Sequence, residues 1–195
     1  MRHQGSQLLA TPRLTLRPLC PQDAPAMFEG WANDAQVTRF LRWQPHKDWL
    51  ETAQLLAAWQ ALYQNPDYYQ WGIVLNGTGQ LAGSISLQLA EEQDPAAWHT
   101  PGLDFSGGVW EPGYCLGRAF WGRGYATEAL AALRDFWFGP VGGAWLGCCH
   151  AVQNPASGRV MQKAGWRFDH DAVYHRFDGS PVDCKVYYIK NEPMG

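Results

Sequence analysis

At 195 residues the chain is long enough to bury roughly 70% of the surface its unfolded form exposes, and with 46% hydrophobic and 17% charged residues it excludes intrinsic disorder. Its 15 Lys and Arg stand against 18 Asp and Glu, a formal net charge of −3 with no basic stripe, so direct nucleic-acid binding is not expected. Eleven tryptophans, within an aromatic share of 14%, must pack a core, line a pocket or meet a partner.

Arg13-Leu-Thr-Leu-Arg-Pro18 alternates apolar and polar residues and predicts a half-buried strand, closed by Pro18 to Pro21. Asp23 is placed to cap a short helix through Met27 and Trp31. A longer helix is predicted from Asp48 to Tyr63, its apolar face formed by Leu50, Ala53, Leu56 and Ala57, with Asn65-Pro66 as the stop. Tyr69 to Leu75 and Leu81 to Leu89 flank Asn76-Gly-Thr-Gly79, a hairpin signal.

The polar stretch from Glu91 to Gly107, with Pro95 and Pro101, has the length of a functional loop. Val109 to Arg118 predicts a strand, and Thr127 to Phe138 a helix that shares one face among Leu130, Leu133, Phe136 and Trp137, ended by Gly139-Pro140. Ala144 to Val152 reads as an apolar strand and Pro155 to Ala164 as a helix that starts after Asn154. Trp166 to Phe177 and Val182 to Ile189 form a final strand pair around Asp178-Gly-Ser-Pro181. With no linker or repeat in this series, residues 1–195 are expected to form a single domain.

No apolar run reaches the roughly 18 residues needed to cross a bilayer, and Met1 to Thr11 lacks a signal-peptide pattern, so no membrane association and a cytoplasmic location are expected. Cys20, Cys115, Cys148, Cys149 and Cys184 include no CxxC pair, which points to reduced, mostly buried thiols and no metal site.

The chemistry concentrates in Gly113-Tyr-Cys-Leu-Gly-Arg-Ala-Phe-Trp-Gly-Arg-Gly-Tyr-Ala-Thr-Glu-Ala129, which sets glycines between a strand and an amphipathic helix. Gly122, Arg123, Gly124, Tyr125, Ala126 and Thr127 would present backbone N–H groups at a helix N-terminus, where free donors and the helix dipole attract a phosphate. The stretch has no Gly-Lys-Ser/Thr and lacks the third glycine of a dinucleotide fingerprint.

Gly113-Tyr114, Trp121-Gly-Arg-Gly-Tyr-Ala-Thr-Glu-Ala129 and Asn154-Pro-Ala-Ser-Gly-Arg-Val160 with Lys163-Ala-Gly-Trp166 resemble the GNAT superfamily, and within it the RimJ/RimL-like ribosomal-protein N-acetyltransferase branch. The resemblance runs from Arg13 to the last strand. It implies an α/β fold with a mixed, largely antiparallel sheet of six or seven strands, flanked by helices and splayed so that acetyl-CoA, as cosubstrate, enters between two central strands. In that picture Leu116, Gly117 and Arg118 pair with the pantetheine arm, Gly122 to Thr127 hold the pyrophosphate, and Asn154 contacts the pantetheine. Trp121 departs from the motif, which usually has Gln or Arg there.

The same resemblance implies direct acetyl transfer to a primary amine, on a protein N-terminus or a small molecule, by a monomer or homodimer. The alternative is a catalytically weak CoA-binding sensor or interaction protein. Glu111 is the first candidate base and His150 the second, while Ser157 matches the motif serine that meets the departing thiolate, with Tyr187 and Tyr188 as alternatives. Glu91, Glu92, Asp94, Asp104 and Glu111 could attract a cationic amine, and Trp31, Trp43, Trp49, Trp59 and Trp71 could wall the acceptor site; helical spacing favours packing for Trp49 and Trp59.

Overall fold

The computed structural model describes residues 1–90, 100, 102–176 and 179–191. Among these described residues eight strands form two sheets. Five, β1 (Leu9–Ala10), β2 (Leu14–Arg17), β3 (Tyr69–Leu75), β4 (Leu81–Leu89) and β5 (Trp110–Leu116), lie in sequence order. Three more, β6 (Trp145–Ala151), β7 (Arg167–His175) and β8 (Pro181–Lys190), follow the order β6-β8-β7. Every ladder among the described residues is antiparallel. The expected splay takes the form of a break between β5 and β6, each the edge strand of its own sheet.

The break is bridged at one end by side chains. The Cys149 amide donates to Glu111 Oε1 at 3.2 Å, and the Cys148 thiol donates to the Pro112 carbonyl at 3.3 Å. Two residues beyond Pro112 the link is longer: the Tyr114 phenol reaches Ser157, past the end of β6. An edge strand leaves N–H and C=O groups unpaired, so the gap offers backbone partners to an extended guest.

The α-helices among the described residues are α1 (Ala24–Met27), α2 (Ala35–Thr38), α3 (Trp49–Leu62), α4 (Tyr125–Phe136) and α5 (Pro155–Lys163), which flank the sheets. Asp48 caps α3 by accepting the Glu51 N–H at 2.9 Å. Asp23 does not cap α1 through its side chain; its carboxylate turns back to the Cys20 N–H and to Arg17, 2.7 Å away. The buried face of α3 is carried by Thr52 and Leu56 with Trp59 and Ala53 against them, and Leu50 is exposed. Helix α4 places Leu130, Leu133 and Phe136 in the core as its spacing predicts. Gly139-Pro140 does not end that helical run; it continues as a π-helical turn, Trp137–Val141, and stops at left-handed Gly142.

The aromatic content resolves into packing. Trp71 stacks on Tyr69 at 5.9 Å and meets Phe136 edge-on, while Trp137 lies 5.1 Å from Trp110. Trp31 is buried in a second cluster with Leu19, Met27 and Leu56. Trp31 and Trp71 are thus core residues rather than an acceptor wall, and Trp49, expected to pack, is 55% exposed. None of the five cysteines is in a disulfide, and Cys148 and Cys184 are buried and the others partly so. The residues Glu91, Glu92, Asp94, Pro95, Pro101 and Asp178 of the two predicted loops lie outside the described residues.

Candidate active site

The glycine turn follows β5 through a short 3-10 segment, Arg118–Phe120. Gly122 and Gly124 have φ of +72° and +79°, the left-handed region that side-chain-bearing residues enter at a cost, and Gly124 is the N-cap of α4. The first helical bond runs from the Glu128 N–H to the Gly124 carbonyl. Among the described residues, the amides of Gly122, Arg123, Gly124, Tyr125, Ala126 and Thr127 have no acceptor, and no side chain caps the helix. A Cβ on Gly122 would meet nothing within 4 Å. These amides stand at the positive end of a helix dipole.

Two residues on flanking elements, Arg13 and Glu128, lock this turn. The Arg13 guanidinium donates to Glu128 Oε2 at 2.6 Å and to the Arg123 carbonyl at 3.0 Å, and lies over the Tyr125 ring at 4.8 Å. Glu128 also accepts from the Thr11 hydroxyl and the Arg13 amide. Burial works to raise the Glu128 pKa, but the bonds from Thr11 and Arg13 outweigh it and hold the carboxyl below its usual range. The signal was present as Glu in the first turn of an uncapped helix, but its partner lies 115 positions away.

The strand end is more occupied than expected. The Leu116 side chain is buried, and its carbonyl accepts the Trp121 indole N–H at 2.8 Å, so the departed motif position ties the turn to β5. The Gly117 amide donates to the Ala82 carbonyl, and a Cβ there would sit 2.6 Å from the Gly30 carbonyl oxygen. Arg118 pairs with Asp34 at 2.5 Å, and that bond keeps the Asp34 carboxyl below its usual range.

At the other helix start, Asn154 Oδ1 accepts the Ser157 N–H at 3.4 Å and Pro155 occupies the first turn of α5. The Ser157 hydroxyl lies 2.8 Å from the Tyr114 phenol oxygen, and the phenol is also 3.1 Å from the Ser157 carbonyl. Burial, the larger cause, pushes the Tyr114 phenol well above its usual range, so it stays protonated. In the sequence Tyr114 stands out only as part of the Gly113-Tyr114 motif; its partnership with Ser157 depends on β5 and α5 meeting in space.

His150 is 7% exposed, its Nδ1–H donates to the Ala151 carbonyl at 2.8 Å, and its buried Nε2 has no partner and lies against Gly158 of α5. Glu111 is half-buried at the sheet junction, where Oε1 also accepts the Cys149 thiol at 3.3 Å. A hydrogen bond with Cys184, burial and Glu111 together raise the Cys149 pKa, and burial raises that of Cys148, so both thiols are held protonated. Tyr187 is buried and accepts from Gln162, Tyr188 sits on the same strand, and Asp104 is exposed and accepts the Ser106 N–H.

Residues 13–167 match the family described as the acetyltransferase (GNAT) domain. The uncharacterized N-acetyltransferase YoaA of Bacillus subtilis is 28% identical over 185 residues, 93% of this chain and 96% of that protein. An acetyltransferase of the GNAT family from Bacillus anthracis superposes with a TM-score of 0.74 at 19% identity, covering 94% of this chain and 98% of that one. RimL, a ribosomal L7/L12 α-N-protein acetyltransferase solved with coenzyme A, superposes with a TM-score of 0.75 at 20% identity, covering 94% and 98%. Among the described residues no helix is long and apolar enough to cross a membrane. With the glycine turn between β5 and α4, the Asn154 cap on α5 and a domain match across most of its length, the chain belongs to the GNAT family of N-acetyltransferases.

Proposed function

We propose that the protein transfers an acetyl group from acetyl-CoA directly to the primary amine of a protein N-terminus or a small molecule. The observation that carries this reading is the uncapped start of α4, where six successive amides, Gly122 to Thr127, have no protein acceptor among the described residues. The first N–H groups of a helix have no intrahelical acceptor, and a pyrophosphate fits donors left open at the positive helix end. Arg13 and Glu128 hold the turn in that shape before anything binds.

Acetyl-CoA supplies an activated thioester; the chain supplies position and proton handling. The unpaired edge of β5, toward the gap with β6, offers backbone groups to an extended pantetheine, and the Asn154 side-chain amide can add a donor there. Ser157 and Tyr114 share their protons in one of two ways. If the phenol donates to the Ser157 carbonyl, the serine proton goes to the phenol oxygen; if the phenol donates to Oγ, the serine proton is free. Only the second arrangement presents an O–H to a departing thiolate, and both need the phenol protonated, as its burial keeps it.

Glu111, half-buried where the sheets part, takes the amine proton through water, while His150 Nε2, covered by α5, positions that helix. Cys148 and Cys149, held protonated, are donors rather than nucleophiles, which favours direct transfer. Free thiol released from acetyl-CoA across a panel of peptides and small amines tests the proposal. Acceptor-dependent release is expected; tight acetyl-CoA binding with no release across the panel would replace it with the CoA-binding sensor reading.

A further inference from the structure

Away from the glycine turn, a cleft of about 450 Å³ opens between the end of α2 and the turn into α5, lined by Thr38, Arg39, Phe40, Gln44, Gln153 and Arg176. Among the described residues its lining includes two guanidinium groups and no carboxylate. Arg176 follows β7 and is fixed at its backbone, donating to the Ser180 carbonyl at 3.0 Å and accepting the Gly179 N–H at 2.9 Å. Its Nη2 donates to the Arg39 carbonyl at 3.1 Å, and its Nε is buried with no partner. The Arg39 guanidinium lies 4.4 Å from the Phe40 ring centroid. Among the described residues neither arginine has an ion-pair partner.

Guanidinium groups stay charged at any accessible pH and call for a counter-charge, and a buried N–H without an acceptor adds a desolvation cost. A planar anion with two oxygens relieves both, because it accepts in the fork geometry of arginine. The cleft is also linked along the chain to the reacting groups. Gln153 adjoins Asn154, whose cap orders the helix turn carrying Ser157, and α2 is tied at its start by Asp34 to Arg118 before the glycine turn.

Resting on the acetyl-transfer reading above, we infer that this cleft seats the carboxylate of the acceptor, and that the substrates are compact primary amines carrying a carboxylate. The volume is that of a site for an amino-acid-sized molecule. The carboxylate can come from a free amino acid or from an acidic residue at the start of a peptide; both present the same two oxygens.

The test pairs turnover with binding. Thiol release is measured for free amino acids against their carboxamides, for peptides starting with Glu or Asp against Gln or Asn, and for phosphoethanolamine; binding of glutarate is measured by calorimetry on wild type, Arg39→Gln and Arg176→Gln. Carboxylate acceptors are expected to show a KM about tenfold below their amides, and each substitution to raise that KM about tenfold with acetyl-CoA affinity unchanged. The peptide and amino-acid arms identify which source is used. Equal use of acid and amide, preference for phosphoethanolamine, or an unchanged KM in Arg39→Gln overturns the inference. Arg39 is exposed, so that variant remains informative if Arg176→Gln fails to fold. Should no amine be acetylated while acetyl-CoA binds, the reaction proposal fails and glutarate still decides the cleft: binding lost in Arg39→Gln supports it, and equal binding or none in wild type rejects it.

Discussion

Helices α4 and α5 both begin just after a strand beside the gap between the sheets, yet their first turns are finished in opposite ways. At α5, Asn154 accepts the Ser157 amide and Pro155 removes a donor, so the protein satisfies its own backbone. At α4, left-handed Gly124 stands at the cap, no side chain accepts, and the ordering contacts come from Arg13 and Glu128 on its flank. A helix start closed by its own side chain is structural and can carry a reactive group, here Ser157. A start held rigid but left open suits the bound anion proposed for it.

The sharpest way to break this contrast is to add a charge to the open start. Gly122→Asp should weaken acetyl-CoA binding about 100-fold, since a carboxylate there faces a pyrophosphate from within a few ångströms. Gly122→Asn shares the backbone demand without the charge and should lose far less; equal losses in a calorimetric titration would assign the effect to the turn's shape alone.

At the closed start, Ser157→Ala and Tyr114→Phe should each lower kcat about tenfold or more with little change in acetyl-CoA affinity. A parallel loss of binding would make the pair structural. Asn154→Ala should cost about 1 kcal/mol of stability in denaturant unfolding, as caps generally do, whereas no cap side chain exists at α4 to remove.

The smallest effect concerns acid. The folded Glu128 pKa lies below its unfolded value, so its contribution to stability is full above the unfolded carboxylate range and is lost as pH falls through the folded value. Glu128→Gln should therefore flatten the fall in stability below about pH 4 and leave a modest deficit at neutral pH. An unchanged acid profile would remove Glu128 from the group that holds the turn.

Much of the frame was readable along the chain because it is local. The β3–β4 hairpin, the Asp48 cap and the apolar face of α4 follow from periodicity and turn chemistry within a few residues. The buried face of α3 was misplaced because Thr52 is sheltered against His46, at 2.7 Å, while Leu50 faces solvent; packing overrode the hydrophobic pattern. Gly139-Pro140 looked like a stop, yet a π-helical turn absorbs the proline and carries the run to Gly142.

The linear order of residues was enough to place open amides at a glycine-led helix start and a serine at a capped one, because backbone donors and caps are decided within one turn. It could not assign partners. That Arg13 grips Glu128, that Trp121 closes onto Leu116, that Tyr114 meets Ser157 and that Arg39 and Arg176 share a cleft depends on segments between 5 and 137 positions apart. Most of those distances are set by how two sheets part and which helices fill the space, so burial and charge at the site emerged only once the chain was folded.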